Sequence, residues 1–392
     1  MIKVLLLTSR LPYPPVGGDK LKNYNLIKIL SKYYDVHLVT LTDEKLDDKS
    51  KEFLEEYTTS YQVFTKSKID FLMAISRSLY NKEPLQVNYY YFNDVQKYID
   101  NKTKKIDFII STLIRTSKYA VHLDKPKIFD MADSIGQNYK KSLQNVKSLF
   151  WKIIYKIEST RLIDYEKYTI DKYNTTLMFN KEEIKFFDME NKIKFIPHGV
   201  NEDLLLYDKV DEKYKNNISF FGKMDYQPNI DAVLWFIENI LDKLNQNILF
   251  YIVGAKPTNK ILELEKKYKN IVVTGFVDDP YEILKSSMCI VTPMQTGAGI
   301  QNKVLETMAL GTINIISSLA AKPIGAINKK DYIVLDEPIK ISNEINKIYE
   351  NKQKYDFYKQ NSKEFIKNSF TWSIYEKVYI DTIKEILNDN KN

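Results

Sequence analysis

Cysteine occurs once in these 392 residues, as Cys289, so no disulfide framework exists. Cys289 stands inside an apolar run with no histidine beside it, and its expected role is a buried structural thiol rather than a nucleophile. Histidine is nearly as scarce. His37, His122 and His198 show none of the spacings of a zinc site. Arginine, the side chain best suited to reading bases, is limited to Arg10, Arg77, Arg115 and Arg161, and no aromatic-basic platform stands out, which argues against a nucleic-acid binder. No apolar run approaches the roughly 18 to 20 residues of a membrane span. Met1 to Leu7 is apolar but too short for a signal peptide, being followed at once by Arg10 and prolines. Repeats and low-complexity tracts are absent. The expectation is a cytoplasmic protein.

What is present fits a well-packed enzyme-sized chain. The length exceeds one ordinary core and predicts two domains. Apolar residues make up 44%, enough for two globular cores, and the net charge of +7 is a mild balance suited to anionic small molecules or an anionic membrane surface.

Apolar runs read as strands and alternate with helical stretches. The first series is Lys3–Ser9, Val36–Thr42, Tyr61–Thr65, Asp107–Thr112, Lys127–Met131, Thr175–Asn180 and Lys192–Pro197. A charged connection near Gly199 to Lys215 leads into the second: Asn217–Gly222, Ile248–Gly254, Ile271–Val277, Met288–Met294, Thr312–Ser317 and Tyr332–Leu335. Strand–helix alternation predicts α/β domains with parallel sheets, and ligands bind such sheets at the carboxyl ends of their strands. In the first half that edge holds Gly17 and Gly18. In the second, the strand ending at Thr292 leads to a loop with Gly297 and Gly299, then to a helix carrying Lys303 and Glu306 and stopping at Gly311. Small residues, unpaired N–H groups and the positive end of a helix dipole are a physical recipe for holding phosphate. Lys303 adds charge and Glu306 can accept hydroxyl hydrogen bonds, as from a ribose. The competing reading is an ordinary strand–turn–helix with a surface Lys/Glu pair one turn apart.

Two stretches look amphipathic and basic. Lys140 to Leu162 places Leu143, Val146, Phe150, Ile153, Ile154 and Ile157 on one face, with Lys141, Lys152 and Lys156 opposite. Ser67 to Tyr80 combines Ile69, Leu72, Met73 and Leu79 with Lys68 and Arg77. Each reads either as a helix covering its domain or as one lying on an anionic membrane.

The ordered motifs carry a family resemblance. They are SRLPYPPVGGDKLKNYNLIKILS at the start, FIPHGV at Phe195 to Val200, FFGKMDYQPNIDAVLWF at Phe220 to Phe236, then FYIVG, VTGFVDDP and CIVTP-x(6)-IQNKVLETMALG. Over nearly its whole length the chain resembles the retaining GT-B glycosyltransferases of family 4 (glycosyl transferases group 1), and looks most like the bacterial subgroup that builds capsule, exopolysaccharide or O-antigen chains. The resemblance implies two Rossmann-like domains with parallel sheets facing across a cleft. Residues 1–203 would bind the acceptor, 204–370 the nucleotide sugar, and 371–392 would form a helix packing back on the first domain.

The same resemblance implies residue roles. Lys223 would grip the diphosphate, and Lys303 with the backbone at Gly299 and Ile300 would lie beside the same phosphates. Glu306 would hold the ribose, Gly254 and Val277 would line the base pocket, and Gly17 and Gly18 would form the loop over diphosphate and acceptor. Four positions depart from the family pattern. Ala298 replaces the first acid of its paired-glutamate motif, Asn229 stands near the second diphosphate lysine, Asp130 and Asp133 occur where many relatives have a histidine, and His198 takes a place usually held by asparagine. With no Asp-x-Asp motif in context, cations and N–H dipoles must carry the leaving charge, so transfer without metal or cofactor is expected. The catalytic candidates are Lys223, Glu306 and Asp133, the last to orient the acceptor or stabilise an oxocarbenium-like centre, or else a helix cap or structural acid. Lys223 has its own competing reading, a surface lysine at a loop. The expected partners are a nucleotide sugar, a glycan or lipid-linked glycan acceptor and an anionic membrane surface at the inner face of the plasma membrane. The alternative function is a non-catalytic nucleotide-sugar-binding subunit of a polysaccharide-assembly complex.

Overall fold

Seven parallel strands build the first sheet: β1 (Lys3–Thr8), β2 (Asp35–Thr42), β3 (Ser60–Thr65), β4 (Phe108–Thr112), β5 (Lys127–Ala132), β6 (Thr175–Met178) and β7 (Ile193–Phe195), in the order β3-β2-β1-β4-β5-β6-β7. Six parallel strands build the second: β8 (Ile218–Phe221), β9 (Phe250–Val253), β10 (Ile271–Gly275), β11 (Cys289–Thr292), β12 (Asn314–Ile316) and β13 (Ile333–Val334), in the order β10-β9-β8-β11-β12-β13. The computed structural model describes residues 1–143, 148–297 and 299–389. Val146 and Ala298 therefore lie outside the described residues.

Both sheets are doubly wound. The chain starts at the centre, steps outward to one edge, then returns and steps outward to the other, which creates a switch point between β1 and β4 and another between β8 and β11. The central strands are near-continuous apolar runs because helices cover both faces. In β1, Val4, Leu5, Leu6 and Leu7 are all buried, and in β11 so is every residue from Cys289 to Thr292. Burial pushes the Cys289 thiol up to about 12, which leaves it an inert apolar filler.

The chain forms two compact units, residues 1–197 with 375–392, and residues 198–374. The divisions thus fall at 197/198 and 374/375, beside the expected 203/204 and 370/371. In the first unit the helix Gly18–Ser31 carries Lys22, which is buried with its ammonium 2.8 Å from Asp130 on β5, although neither Lys22 Nζ nor Asp130 Oδ1 makes an aligned hydrogen bond. Tyr379 of the last helix (Trp372–Asp389) donates to Asp130 Oδ2 at 3.3 Å, and Glu376 receives Lys32 and Tyr33 at 2.7 and 2.8 Å.

In the second unit the HGV stretch is an anchor. Val200 N donates to Phe370 O at 2.7 Å, and a Cβ on Gly199 would lie 2.1 Å from the Trp372 ring, so only glycine admits that indole.

Two expected helices differ from the sequence reading. Ser67 to Tyr80 breaks at Ser76–Arg77 into Lys68–Ile75 and Ser78–Asn81. In place of one helix from Lys140 to Leu162 there are Ile135–Ser142 and Leu149–Lys172, with 144–147 undescribed between them. In the longer helix the buried positions are Glu158, Ser159, Leu162, Glu166, Thr169 and Ile170, whereas Phe150, Ile153 and Ile157 are exposed. The apolar side chains of its first turns therefore do not cover a core. The buried stripe begins later and includes two carboxylates that receive backbone N–H groups at the starts of two other helices, Glu158 from Leu85 N of Leu85–Tyr89 and Glu166 from Gly136 N of Ile135–Ser142.

Candidate active site

The second unit gathers most of the candidates at its switch point. β8 ends at Phe221 and the chain turns through Gly222 to Lys223. β9 ends at Val253 and turns through Gly254. These loops touch so closely that a Cβ on Gly254 would lie 1.9 Å from Gly222 O, at a φ of +151°. Only glycine fits there. Lys223 projects from this junction, half-exposed, with its ammonium 3.3 Å from Asp225.

Asn229 joins this loop to the next. It lies buried in the first turn of the helix Gln227–Asn239, where Pro228 is tolerated because the first N–H groups lack helical partners. Its Nδ2 donates to Lys223 O at 2.8 Å, and its Oδ1 accepts from Lys303 Nζ. Lys303 opens the helix Asn302–Ala309, which follows β11 and the loop with Gly297 and Gly299. Its ammonium also stands 3.6 Å from Met294 Sδ and 4.9 Å from the centre of the Phe220 ring. Burial strips water from this cation and lowers its pKa to about 7, against which the Glu306 charge works.

Glu306 lies one turn on. Burial raises its carboxyl to about 7, opposed by a hydrogen bond from Tyr281 OH to Oε2 at 3.4 Å and by Lys303. Tyr281 comes from the helix Pro280–Ser286 after β10, and burial together with the Glu306 charge pushes its phenol well up. The surface i,i+3 pair expected as the competing reading is not what forms. Lys303 turns to Asn229, and Glu306 turns to Tyr281. Ile300 and Val277 are half-buried against the core of this unit.

Gly17, Gly18 and Asp133 belong to the first unit. Gly17, at a φ of +104°, precedes the helix Gly18–Ser31, and a Cβ on Gly18 would meet nothing within 4 Å, so space does not demand glycine there. Asp133 follows Ala132, whose φ of +64° is a left-handed conformation that costs a non-glycine residue energy. The helix Ile135–Ser142 is capped not by Asp133 but by Ser134, whose Oγ accepts from Gln137 N at 3.0 Å. Asp133 Oδ1 is buried without a hydrogen-bond partner among the described residues, and its carboxyl is raised to about 7, first by burial and then by the Glu183 charge.

Two buried glutamates frame this corner. Glu183 accepts from Ser134 N at 2.7 Å and from Lys141 Nζ at 3.3 Å, while Glu166 accepts from Ser134 Oγ at 2.7 Å and Gly136 N at 3.1 Å. Sequence reasoning missed Tyr281, Glu166 and Glu183 as site neighbours. Their contacts cross many residues, and no local spacing signals them. Asn229 was noted only as a missing lysine. Among the described residues, no three of His, Cys, Asp and Glu stand together as a metal-ligand group.

Comparison with known proteins now gives the fold its class. The crystal structure of Anabaena Alr3699/HepE in complex with UDP matches with a TM-score of 0.66 at 13% identity, covering 98% of this chain and 100% of that one. Sucrose-phosphate synthase from Thermosynechococcus elongatus matches with a TM-score of 0.72 at 13% identity over 99% and 100%. Two Rossmann-like domains with these neighbours define the GT-B glycosyltransferase fold. More particularly, residues 215–351 match the family model described as glycosyl transferases group 1, and that segment holds Lys223, Asn229, Lys303 and Glu306. An uncharacterized 44.6 kDa protein of the cps region of Klebsiella pneumoniae is 23% identical over 360 residues, 86% of this chain and 89% of the relative.

Proposed function

We propose that the chain is a glycosyltransferase that moves a sugar from a nucleotide-diphosphate sugar to a glycan acceptor, lipid-linked or polysaccharide, with retention and without metal, in bacterial surface polysaccharide synthesis. One observation carries this reading. Lys303 is held by Asn229 against the Lys223 loop, at the switch point of a domain that matches the glycosyl transferases group 1 model. The UDP in the HepE structure and the cps-region origin of the Klebsiella relative support it.

In this mechanism Lys223, Lys303 and the N–H groups at Gly299 and Ile300 stabilise the diphosphate as it leaves. Glu306 accepts hydrogen bonds from the ribose, Gly254 and Val277 line the base, and the Gly17–Gly18 loop approaches the phosphates. The acceptor attacks from the face the diphosphate leaves, and the leaving phosphate takes the acceptor proton. Asp133 orients the acceptor or stabilises the cationic sugar.

The chain works at the inner face of a membrane in this reading. No helix among the described residues is long and apolar enough to cross one. Ile69, Leu72, Met73, Leu79 and Tyr80 are nonetheless exposed beside Lys68, Arg77 and Lys82. Leu149, Phe150, Trp151, Ile153 and Ile157 are exposed beside Lys152 and Lys156. Apolar side chains flanked by cations suit an anionic lipid surface.

Incubation with a panel of nucleotide sugars and octyl glycosides in EDTA tests the reaction. The expected result is release of nucleoside diphosphate only when acceptor is present, with a product that keeps the donor's anomeric configuration by NMR. An inverted product overturns retention, dependence on added metal overturns the metal-free step, and binding without transfer to any acceptor overturns the enzyme reading.

A further inference from the structure

Beneath the helix Lys68–Ile75 the first unit holds a cavity of about 270 Å³ that the donor chemistry leaves unused. Its floor is the carboxyl edge of the sheet, where β1 and β2 end at Ser9, Arg10, Thr42, Asp43 and Glu44. One wall is aromatic. The Phe71 and Tyr89 rings stack with centroids 4.6 Å apart at 15°, and Tyr90 stands edge-on to both, at 5.6 and 4.9 Å.

The charges around it are balanced. Arg10 reaches Asp19 at 3.3 Å and Lys20 reaches Glu44 at 3.7 Å, so each cation already faces a carboxylate. Asp43 adds another carboxylate to the floor. A free phosphate would find no unengaged cation here. A sugar ring fits better, since its hydroxyls both donate and accept hydrogen bonds while its C–H face lies against an aromatic wall.

The covering helix adds a direction. Phe71 and Ala74 point inward and are buried, while Ile69, Leu72 and Met73 point outward and are exposed. A ligand seated in the cavity therefore lies under an apolar lip. We propose that this cavity is a saccharide subsite that receives the glycosyl end of an amphiphilic acceptor, with the acceptor's apolar remainder running along Ile69, Leu72 and Met73. The proposal rests on the transferase reading above and names where its acceptor is held.

Saturation-transfer NMR on the full chain tests it, with a panel of methyl and octyl glycosides as probes. The sugar protons of at least one glycoside should receive saturation, and its octyl form should bind more tightly than its methyl form. Tyr89→Ala should weaken binding about tenfold or more, and Tyr89→Phe, which keeps the ring, should restore it. The melting-temperature shift given by nucleotide sugars should be the same in both variants. Native affinity in Tyr89→Ala, binding of no glycoside in the panel, or displacement of a bound glycoside by inorganic phosphate would each overturn the subsite. Failure of every nucleotide sugar to bind the native chain would instead overturn the transferase reading, so the two failures are distinct.

Discussion

Donor binding should take up a proton at pH 8 and release one at pH 6. The prediction comes from two neighbouring groups that burial moves in opposite senses. Lys303 falls from 10.5 to about 7, and Glu306 rises from 4.5 to about 7. In the free site at pH 8, Lys303 carries only about 0.1 proton and Glu306 is already about 0.9 ionised. A diphosphate beside Lys303 favours its charged form, so at pH 8 the site takes up most of a proton per donor. At pH 6 the roles exchange. Lys303 is already about 0.9 protonated, while Glu306 holds about 0.9 proton that it loses when ribose hydroxyls donate to it. Calorimetry in buffers of different ionisation enthalpy reads this number as a slope. An intact nucleotide sugar is the right probe, because its doubly esterified diphosphate has no proton to exchange near neutrality. Lys303→Met should abolish uptake at pH 8 and leave release at pH 6, and Glu306→Gln should do the reverse. A donor that binds with zero slope at both pH values, or with uptake intact in Lys303→Met, would refute the reasoning.

Three further outcomes follow from the packing and the surface. Lys22→Met leaves Asp130 buried without its cation and should destabilise the first unit by about 3 to 5 kcal/mol in urea unfolding, whereas Lys22→Met with Asp130→Leu should recover part of that loss. Gly254→Ala would set a methyl group against Gly222 O and should cost about 1 to 3 kcal/mol or more, measured by the same unfolding, with donor affinity falling as the Lys223 loop shifts. Phe150→Glu with Trp151→Glu should abolish co-sedimentation with vesicles containing anionic lipid, while leaving donor-induced thermal stabilisation unchanged. Equal binding to neutral and anionic vesicles would contradict the surface assignment.

The thirteen strands among the described residues were legible, the central ones because parallel strands buried on both faces leave short apolar runs. Their ends were less so. The apolar run from Ile271 to Val277 outlasts β10, which stops at Gly275. The helices with exposed apolar faces misled, since periodicity marks an amphipathic face without saying what covers it. At the site, the glycine loops and the helix bearing Lys303 and Glu306 were visible as a local pattern. Their partners were not. Asn229 precedes Lys303 by 74 residues and Tyr281 precedes Glu306 by 25, and only the fold brings each pair together. The sheltered state of Asp133 was equally hidden. It depends on Glu183 from another helix and on the left-handed Ala132 that turns the chain there.

The most direct test of the central claim is a thermal-shift titration of the purified chain with UDP-, GDP-, ADP-, dTDP- and CMP-sugars, run beside Lys223→Ala and Glu306→Ala. A ligand that binds only the folded chain stabilises it by about 2.7 kcal/mol at a hundred times its dissociation constant. The account predicts stabilisation by one nucleotide class, lost in both variants. No stabilisation by any donor, or stabilisation that survives both substitutions, would contradict it.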